Sequence, residues 1–297
     1  MSSPHIGLIG VGLMGHGIAL NIARKGYALT VLEHPGNQPL TQLQALGVQS
    51  VDSLKALAAS VDVLVLCVTG SPQVEAILLG DEGALAAMKP GSAVIDCSTA
   101  LPDSTERVAA MAAAVGIRFI DAPMTRTPRE AAEGRLNLLV GGDAAVLAEC
   151  MPILRSFAEN VTHTGAVGTG HRMKLLHNYV SLGTVALISE AAACAFRGGV
   201  SPEVFVDVLA KGGGGGVALE RLRPFLLDQD PSGLRFFMGN ALKDMGYYVS
   251  MAHDTHAAQD IADAVHDTYA SAVAQAGAEA LVPSLVTTLQ RGVGHSR

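Results

Sequence analysis

The sequence predicts an α/β fold: a doubly wound parallel sheet in an N-terminal domain over residues 1–165, then an all-helical domain over 166–297. Three observations carry this expectation. Short apolar runs alternate with helical stretches, the pattern of βαβ units. The run Val61–Val68 (VDVLVLCV) is almost wholly apolar, as a strand covered on both faces must be. From Gly170 onward the periodicity is helical and no convincing strand follows.

The first unit is His5 to Glu33, HIGLIGVGLMGHGIALNIARKGYALTVLE. Ile6, Leu8 and Ile9 form a short strand that stops at Gly10. Gly10-x-Gly12-x-x-Gly15 follows, then a segment whose apolar residues (Leu13, Ile18, Leu20, Ile22) suit a packed helix, and Tyr27–Leu32 reads as a second strand closing on Glu33. Strand, glycine turn, helix, strand and terminal acid form the context that turns a glycine pattern into a dinucleotide site. Gly10 permits the tight turn, Gly12 lets backbone approach a pyrophosphate, and Gly15 lets helix and strand pack closely. Leu13 and Met14 complete the loop whose N–H groups face the phosphates. Glu33 is placed to accept hydrogen bonds from ribose hydroxyls and to repel a 2′-phosphate. No Lys or Arg occurs between Lys25 and Lys55. NAD is therefore expected in preference to NADP, with His34 as a minor source of positive charge.

The remaining elements of the first domain follow in order. Helices are expected near Thr41–Leu46, Leu54–Ala59, Gln73–Leu79 and Pro102–Ala113, and strands at Val61–Val68, Ala93–Asp96 and Arg118–Ile120. Ligands of such sheets lie at the carboxyl ends of the strands. Gly10–Gly15, Val68–Thr69, Ser98–Thr99 and Thr125–Thr127 all follow strands, so they are expected along one edge.

The second domain opens with the longest helical pattern, about Gly170 to Arg197. It is mostly apolar, yet Lys174, His177, Asn178 and Ser181 stand at i, i+3, i+4 and i+7, on one stripe. Such a stripe is either a solvated face or a catalytic face looking at a nicotinamide. Gly212–Gly216, five glycines in a row, must be a loop. A helix is expected around Asn240–Met245, and two more over Ile261–Leu289 with a break near Ala280–Pro283.

Composition narrows the function classes. The chain has 297 residues, 49% hydrophobic and 16% charged, with a net charge of −7 and no offsetting basic patch, which argues against nucleic acid as a partner. A mean hydropathy of +0.35 implies apolar surface shared between copies, so a homodimer or homotetramer is expected. No uninterrupted apolar run is long enough for a bilayer, and the opening MSSPHIGLIG has no basic region, so neither a membrane partner nor a signal peptide is expected. Cys67, Cys97, Cys150 and Cys194 are scattered and read as reduced thiols of a cytoplasmic protein. No metal is expected from these or from the ten histidines.

Taken together, these residues resemble the β-hydroxyacid dehydrogenase family, which contains 3-hydroxyisobutyrate dehydrogenase and tartronate semialdehyde reductase. The carriers are GLIGVGLMG at Gly7–Gly15, DCST at Asp96–Thr99, DAPMTRTPREAAEGRLNLLVGG at Asp121–Gly142, GTGHRMKLLHNY at Gly168–Tyr179 and LKDM at Leu242–Met245. The resemblance implies a Rossmann domain, a nicotinamide cofactor and a catalytic lysine with a helping asparagine, which fall on Lys174 and Asn178. It places cofactor contacts at Thr99 and Lys243, beside which Val68 and Thr69 are expected at the cofactor and Ser98 at the substrate from their strand-end positions. In many members the substrate loop reads Ser-Gly-Gly; here it reads Thr125-Arg126-Thr127. That variant resembles the loop of sulfolactaldehyde reductases, as do His177 and Ser181 on the long helix, and it implies that Arg126 holds an oxyanion. A guanidinium suits that role as a planar fork of donors. The alternative is that Arg126 pairs with Glu130 or Glu133.

The expected reaction is hydride transfer between a nicotinamide and a small anionic 3-hydroxy acid or its semialdehyde, with sulfolactaldehyde among the candidates. Lys174 would donate the proton in reduction and take it in oxidation. An ordinary lysine holds its proton too tightly for efficient exchange near neutrality, and Lys243 with partial burial would lower that hold. Alternatives are a 3-hydroxyisobutyrate or tartronate semialdehyde reductase, and, outside the enzymes, a non-catalytic NAD-binding regulator.

Overall fold

A computed structural model describes residues 3–291; Met1 and Ser2, part of the opening read for a leader, lie outside them. The chain divides into two compact units, 1–174 and 175–297.

The first unit is built on nine strands: β1 (Ile6–Ile9), β2 (Leu29–Leu32), β3 (Gln49–Val51), β4 (Val63–Leu66), β5 (Ala93–Asp96), β6 (Arg118–Asp121), β7 (Met124–Thr125), β8 (Leu136–Gly141) and β9 (Ala158–Gly165). Its helices are α1 (Leu13–Arg24), α2 (Thr41–Gln44), α3 (Leu54–Ser60), α4 (Ser71–Leu79), α5 (Ala84–Ala87), α6 (Pro102–Ala114), α7 (Pro128–Glu133) and α8 (Ala144–Phe157). Strand order is β3-β2-β1-β4-β5-β6-β8-β7, with β9 also paired to β8. The order turns at β1, between β2 and β4, which is the switch point where ligands of doubly wound sheets bind.

Strand composition explains the layering. Along β4, Val63 and Val65 enter the core cluster that holds Ile6, Leu8 and Ile18, while Leu64 and Leu66 enter the opposite one with Leu57, Leu78 and Val108. Period-2 alternation with apolar residues on both sides makes a sheet covered on both faces. Each such side chain stabilises the fold by about 1.5–3 kcal/mol on burial.

From β3 to β6 the sheet is parallel. Its far edge departs from the expected parallel order: β8 runs antiparallel to β6 and β7, and β9 then pairs parallel with β8. Local sequence hides this edge. β9 (AENVTHTG) carries exposed polar residues rather than an apolar run.

Among the described residues the second unit is helical, with one isolated antiparallel bridge between Phe237 and Leu281. The long helix α9 (Thr169–Arg197) crosses from the first unit into the second, followed by α10 (Pro202–Lys211), α11 (Val217–Asp228), α12 (Met238–Asp254), α13 (Asp260–Ala276) and α14 (Leu285–Gln290). The glycine run 212–216 is indeed a loop between α10 and α11. Leu175, Leu182, Val185 and Ile188 of α9 pack with Leu222, Met245, Tyr248 and Tyr269 in one core. α9 is long and apolar enough to cross a membrane by length and composition, with 44% of its most apolar window buried inside the protein. That burial and the core residues it contributes mark it as the central helix of this unit.

Candidate active site

The glycine turn is shaped by steric necessity. Gly10 has φ +94°, and a Cβ there would lie 2.2 Å from the Cys67 carbonyl oxygen. At Gly15 a Cβ would lie 1.9 Å from the Gly10 carbonyl oxygen. Gly12, the N-cap of α1, is the opposite case: nothing stands within 4 Å of where its Cβ would be. Two glycines close the turn against protein, and the third leaves open space in front of a helix N-terminus. That is a cradle for a pyrophosphate, so these residues fit a dinucleotide.

The second strand delivers Glu33 to a concavity lined by Glu33, His34, Pro35, Asn37, Gln38 and Leu40. Ser50 Oγ on β3 donates to Glu33 Oε1 at 2.6 Å, fixing the carboxylate's aim. Asn37 ties this concavity to the glycine turn: its Oδ1 accepts from Val11 N at 3.2 Å and its Nδ2 donates to Leu32 O at 2.9 Å. Among the described residues of that lining there is no Lys or Arg. His34 Nδ1 accepts from Gly36 N at 3.0 Å and is thereby committed locally.

The strand ends are cross-tied. Val68 N donates to Ser98 Oγ at 3.1 Å, and Ser98 N donates to Asp96 Oδ1 at 2.9 Å. Ser98 is only 2% exposed. Its hydroxyl therefore braces the β4 and β5 ends. Thr69 is exposed and Thr99 half-buried.

In the loop 125–127, all three side chains have intramolecular partners. Thr125 Oγ1 accepts from Asn137 Nδ2 at 3.2 Å. Thr127 forms a capping box with Glu130, whose Oε2 accepts from both Thr127 N and Thr127 Oγ1, so this side chain starts α7 and has that local duty in addition to any contact with substrate. Arg126 has φ +82°, a left-handed conformation that favours glycine. Its Nη1 donates to the Arg135 carbonyl and to Glu159 of β9. The expected alternative partners were Glu130 and Glu133; the carboxylate actually engaged is Glu159, which the local sequence could not indicate because β9 was not legible.

On α9, Lys174, His177, Asn178 and Ser181 share one face by their spacing. Lys174 and Ser181 are half-buried and Asn178 is buried. Asn178 Nδ2 donates to Asp244 Oδ2 at 2.7 Å, and Asn178 Oδ1 lies 3.0 Å from His177 Nδ1. Because a carboxylate only accepts, the amide orientation is fixed and the imidazole donates to Oδ1. Asp244 is 3% exposed, and its other oxygen lies 2.8 Å from Lys243 Nζ. Lys243 Nζ also sits 4.8 Å from the Tyr247 ring centroid, a cation–π distance. Asp244 stands inside the quoted LKDM, yet the sequence did not single it out as the partner of Asn178. Its carboxylate pairs with the Lys243 ammonium and offsets that charge. Among the described residues no His, Cys, Asp or Glu cluster could hold a metal.

A dinucleotide cradle at the sheet's switch point, followed by a long helix that carries a lysine and, one turn on, an asparagine held by a buried aspartate, defines a pyridine-nucleotide oxidoreductase. Comparisons with known proteins place it further. Residues 5–165 match the NAD binding domain of 6-phosphogluconate dehydrogenase, and residues 168–289 match the NAD-binding domain of NADP-dependent 3-hydroxyisobutyrate dehydrogenase. The chain is 30% identical to the NAD-dependent L-serine dehydrogenase of Pseudomonas aeruginosa over 261 residues, 87% of this chain and 85% of that one. It is 29% identical over 294 residues to the 3-hydroxyisobutyrate dehydrogenase of the same organism, covering 97% of this chain and 98% of that one. The solved 3-hydroxyisobutyrate dehydrogenase of Mycobacterium tuberculosis with L-serine superposes with a TM-score of 0.86 at 25% identity, covering 97% of this chain and all of that one. The chain belongs to the β-hydroxyacid dehydrogenase family and uses a nicotinamide cofactor.

Proposed function

We propose that the protein is an NAD-dependent oxidoreductase interconverting a small anionic 3-hydroxy acid and the matching semialdehyde, with Lys174 as general acid and base. The carrying observation is the α9 face on which Lys174 stands one turn before a clamped Asn178. Asn178 uses one amide hydrogen on Asp244 and retains a second, which can orient a substrate hydroxyl. The bound nicotinamide supplies hydride chemistry; the protein supplies orientation and one proton. In reduction that proton passes from Lys174 Nζ to the alkoxide oxygen as it develops, and in oxidation it returns. Gly10, Gly12, Leu13, Met14 and Gly15 would hold the pyrophosphate, Glu33 the adenosine ribose, and Val68, Thr69, Thr99 and Lys243 the nicotinamide half.

The preference for NAD is supported by Glu33, its aim set by Ser50, and by the absence of a cation from the described lining of its concavity. The finer reading of the substrate as a strong oxyanion, sulfolactaldehyde included, is supported by Arg126. An arginine held at positive φ bears a backbone cost that glycine would avoid, and such strain belongs where a side chain has a task. An incoming anion would take over the guanidinium from Glu159. Cytoplasmic location and a homodimer or homotetramer remain part of this proposal, on thiol usage and hydropathy.

The test is oxidation of NADH with a panel of semialdehydes (2-hydroxy-3-oxopropionate, methylmalonate semialdehyde, sulfolactaldehyde), repeated on Lys174→Ala. Turnover should fall by about 100-fold or more while NADH affinity stays within about threefold. A modest drop in turnover would remove Lys174 from the proton step.

A further inference from the structure

We propose that His171 is a positioning residue that locks the strand-end loops at Val68 and Ser98–Thr99 to the helical turn carrying Lys174. The inference rests on the reading of Lys174 as the proton donor.

His171 is completely buried on the first turn of α9, where a leucine would fill the space without needing partners. Its ring is engaged at both ends. Nε2 lies 3.1 Å from the Ser98 carbonyl oxygen, which can only accept, so Nε2 is the donor there. Nδ1 lies 2.8 Å from the Thr105 hydroxyl of α6. The backbone at this turn is held as firmly. Asp121, at the end of β6, accepts from Gly168 N on Oδ1 and from His171 N on Oδ2, both at 2.8 Å. It thereby satisfies two orphan donors of the helix N-terminus. Burial raises the Asp121 carboxyl above its ordinary range, and the neighbouring imidazole and these two amides oppose that rise. Asp96 stands on the other side of the ring: Oδ1 accepts from Ser98 N, while Oδ2 is buried with no hydrogen-bond partner, 4.0 Å from His171 Nε2.

A continuous hydrogen-bonded path therefore runs from the α9 backbone through the His171 ring to Ser98 O, and from Ser98 Oγ to Val68 N. Lys174 lies three residues beyond His171, on the same side of the helix. Sliding the helix start by an ångström would take the His171 ring from the Ser98 carbonyl and the Thr105 hydroxyl and the two amides from the Asp121 carboxylate, all in a buried place, and each loss is costly. The network thus fixes the lysine-bearing turn against the loops assigned to the nicotinamide. A misplacement of about 1 Å can cost 100-fold in rate without loss of binding.

The experiment uses the full chain with His171→Leu, His171→Gln and Thr105→Val, and with Lys174→Ala as control. NADH is deuterated at the transferred C4 position and 2-hydroxy-3-oxopropionate is the aldehyde. His171→Leu should lower kcat by about 100-fold with KM for NADH within about threefold, and the primary isotope effect should rise as hydride transfer becomes limiting. His171→Gln, which restores a donor, should recover about tenfold of that loss. In the cofactor-free chain, hydrogen exchange at Val68, Ser98 and the first turn of α9 should accelerate in both His171→Leu and Thr105→Val. If His171→Leu fails to fold, Thr105→Val decides: a lower kcat with unchanged KM and a raised isotope effect supports the proposal. Unchanged kcat per folded molecule, or an unchanged isotope effect with kcat and KM falling together, overturns it. Turnover that survives Lys174→Ala retracts the lysine reading whatever the His171 variants do, so the two failures are distinguishable.

Discussion

Gly12→Ala separates cofactor binding from folding. The residue sits at φ −77° and ψ −159°, extended backbone open to alanine, and its added Cβ would meet nothing within 4 Å. The folded chain should lose less than about 1 kcal/mol, the difference between glycine and alanine at an N-cap. That is a melting shift of a few degrees at most. The empty space is where, in the proposed binding mode, a phosphate would approach the α1 amides. A methyl group there would lift the phosphate from at least one charge-assisted hydrogen bond, worth roughly 1.5–3 kcal/mol. Since about 1.4 kcal/mol is tenfold, Kd for NADH should rise roughly ten- to a hundredfold. Fluorescence titration of NADH beside a thermal melt measures both quantities. Gly15→Ala is the contrasting control, because its Cβ at 1.9 Å from the Gly10 carbonyl oxygen forces the turn open and must lower the melting temperature as well. An unchanged NADH affinity in a well-folded Gly12→Ala chain would refute the cradle.

Replacing Glu33 with Gln together with His34→Arg should shift preference toward NADPH, read as the ratio of kcat/KM for the two cofactors; wild type using both equally would refute the role given to Glu33. Arg126→Ala should raise KM about ten- to a hundredfold for an anionic aldehyde and leave an uncharged one of similar size unaffected, while Glu159→Gln, by removing the competing carboxylate, should move KM the other way. Equal losses for charged and uncharged aldehydes would make Arg126 purely structural. Burial pushes the Cys67 thiol up to about 12 and the Cys150 thiol to about 11, and raises Cys97 as well, whereas Cys194 is exposed. A disulfide reagent at pH 8 should therefore modify one thiol rapidly and the rest only on unfolding; three or four fast thiols would contradict that burial.

The parts of this molecule that were legible in the sequence are those whose cause is local. The turn at Gly10–Gly15 is dictated by contacts within a few residues and by the adjoining strand end, so its glycines announce it. The α9 stripe follows from helical spacing alone. β8 and β9 were not legible, because their stability comes from pairing across the sheet edge: exposed Glu159 and Asn160 show no strand pattern, and Asn160 Nδ2 finds Asn137 Oδ1 at 2.9 Å only after the chain has folded. The same distance in sequence hid the Glu159 partner of Arg126. His171 was quoted inside GTGHRMKLLHNY without a role, since nothing in that string says that Asp96, Asp121 and Thr105 converge on it. Asp244 was silent for the same reason, as its partner Asn178 lies far away in the chain.

The far edge of the sheet has a consequence for how such an enzyme can change its diet. The loop 125–127 lies beyond the last parallel strand, on a hairpin-like β7–β8 pairing that ends in its own capping box at Thr127 and Glu130. α7 behind it is moored to α1 by Asn21, whose Nδ2 bonds the carbonyls of Gly17, Ala131 and Ala132. Residues can therefore be exchanged at 125 and 126 while the mooring, the parallel ladder and the glycine turn stay as they are. In the proposed site, cofactor capture and substrate choice would then be mechanically separate modules. A lineage would trade one small acid for another by editing two positions, without rebuilding the machinery that handles the hydride.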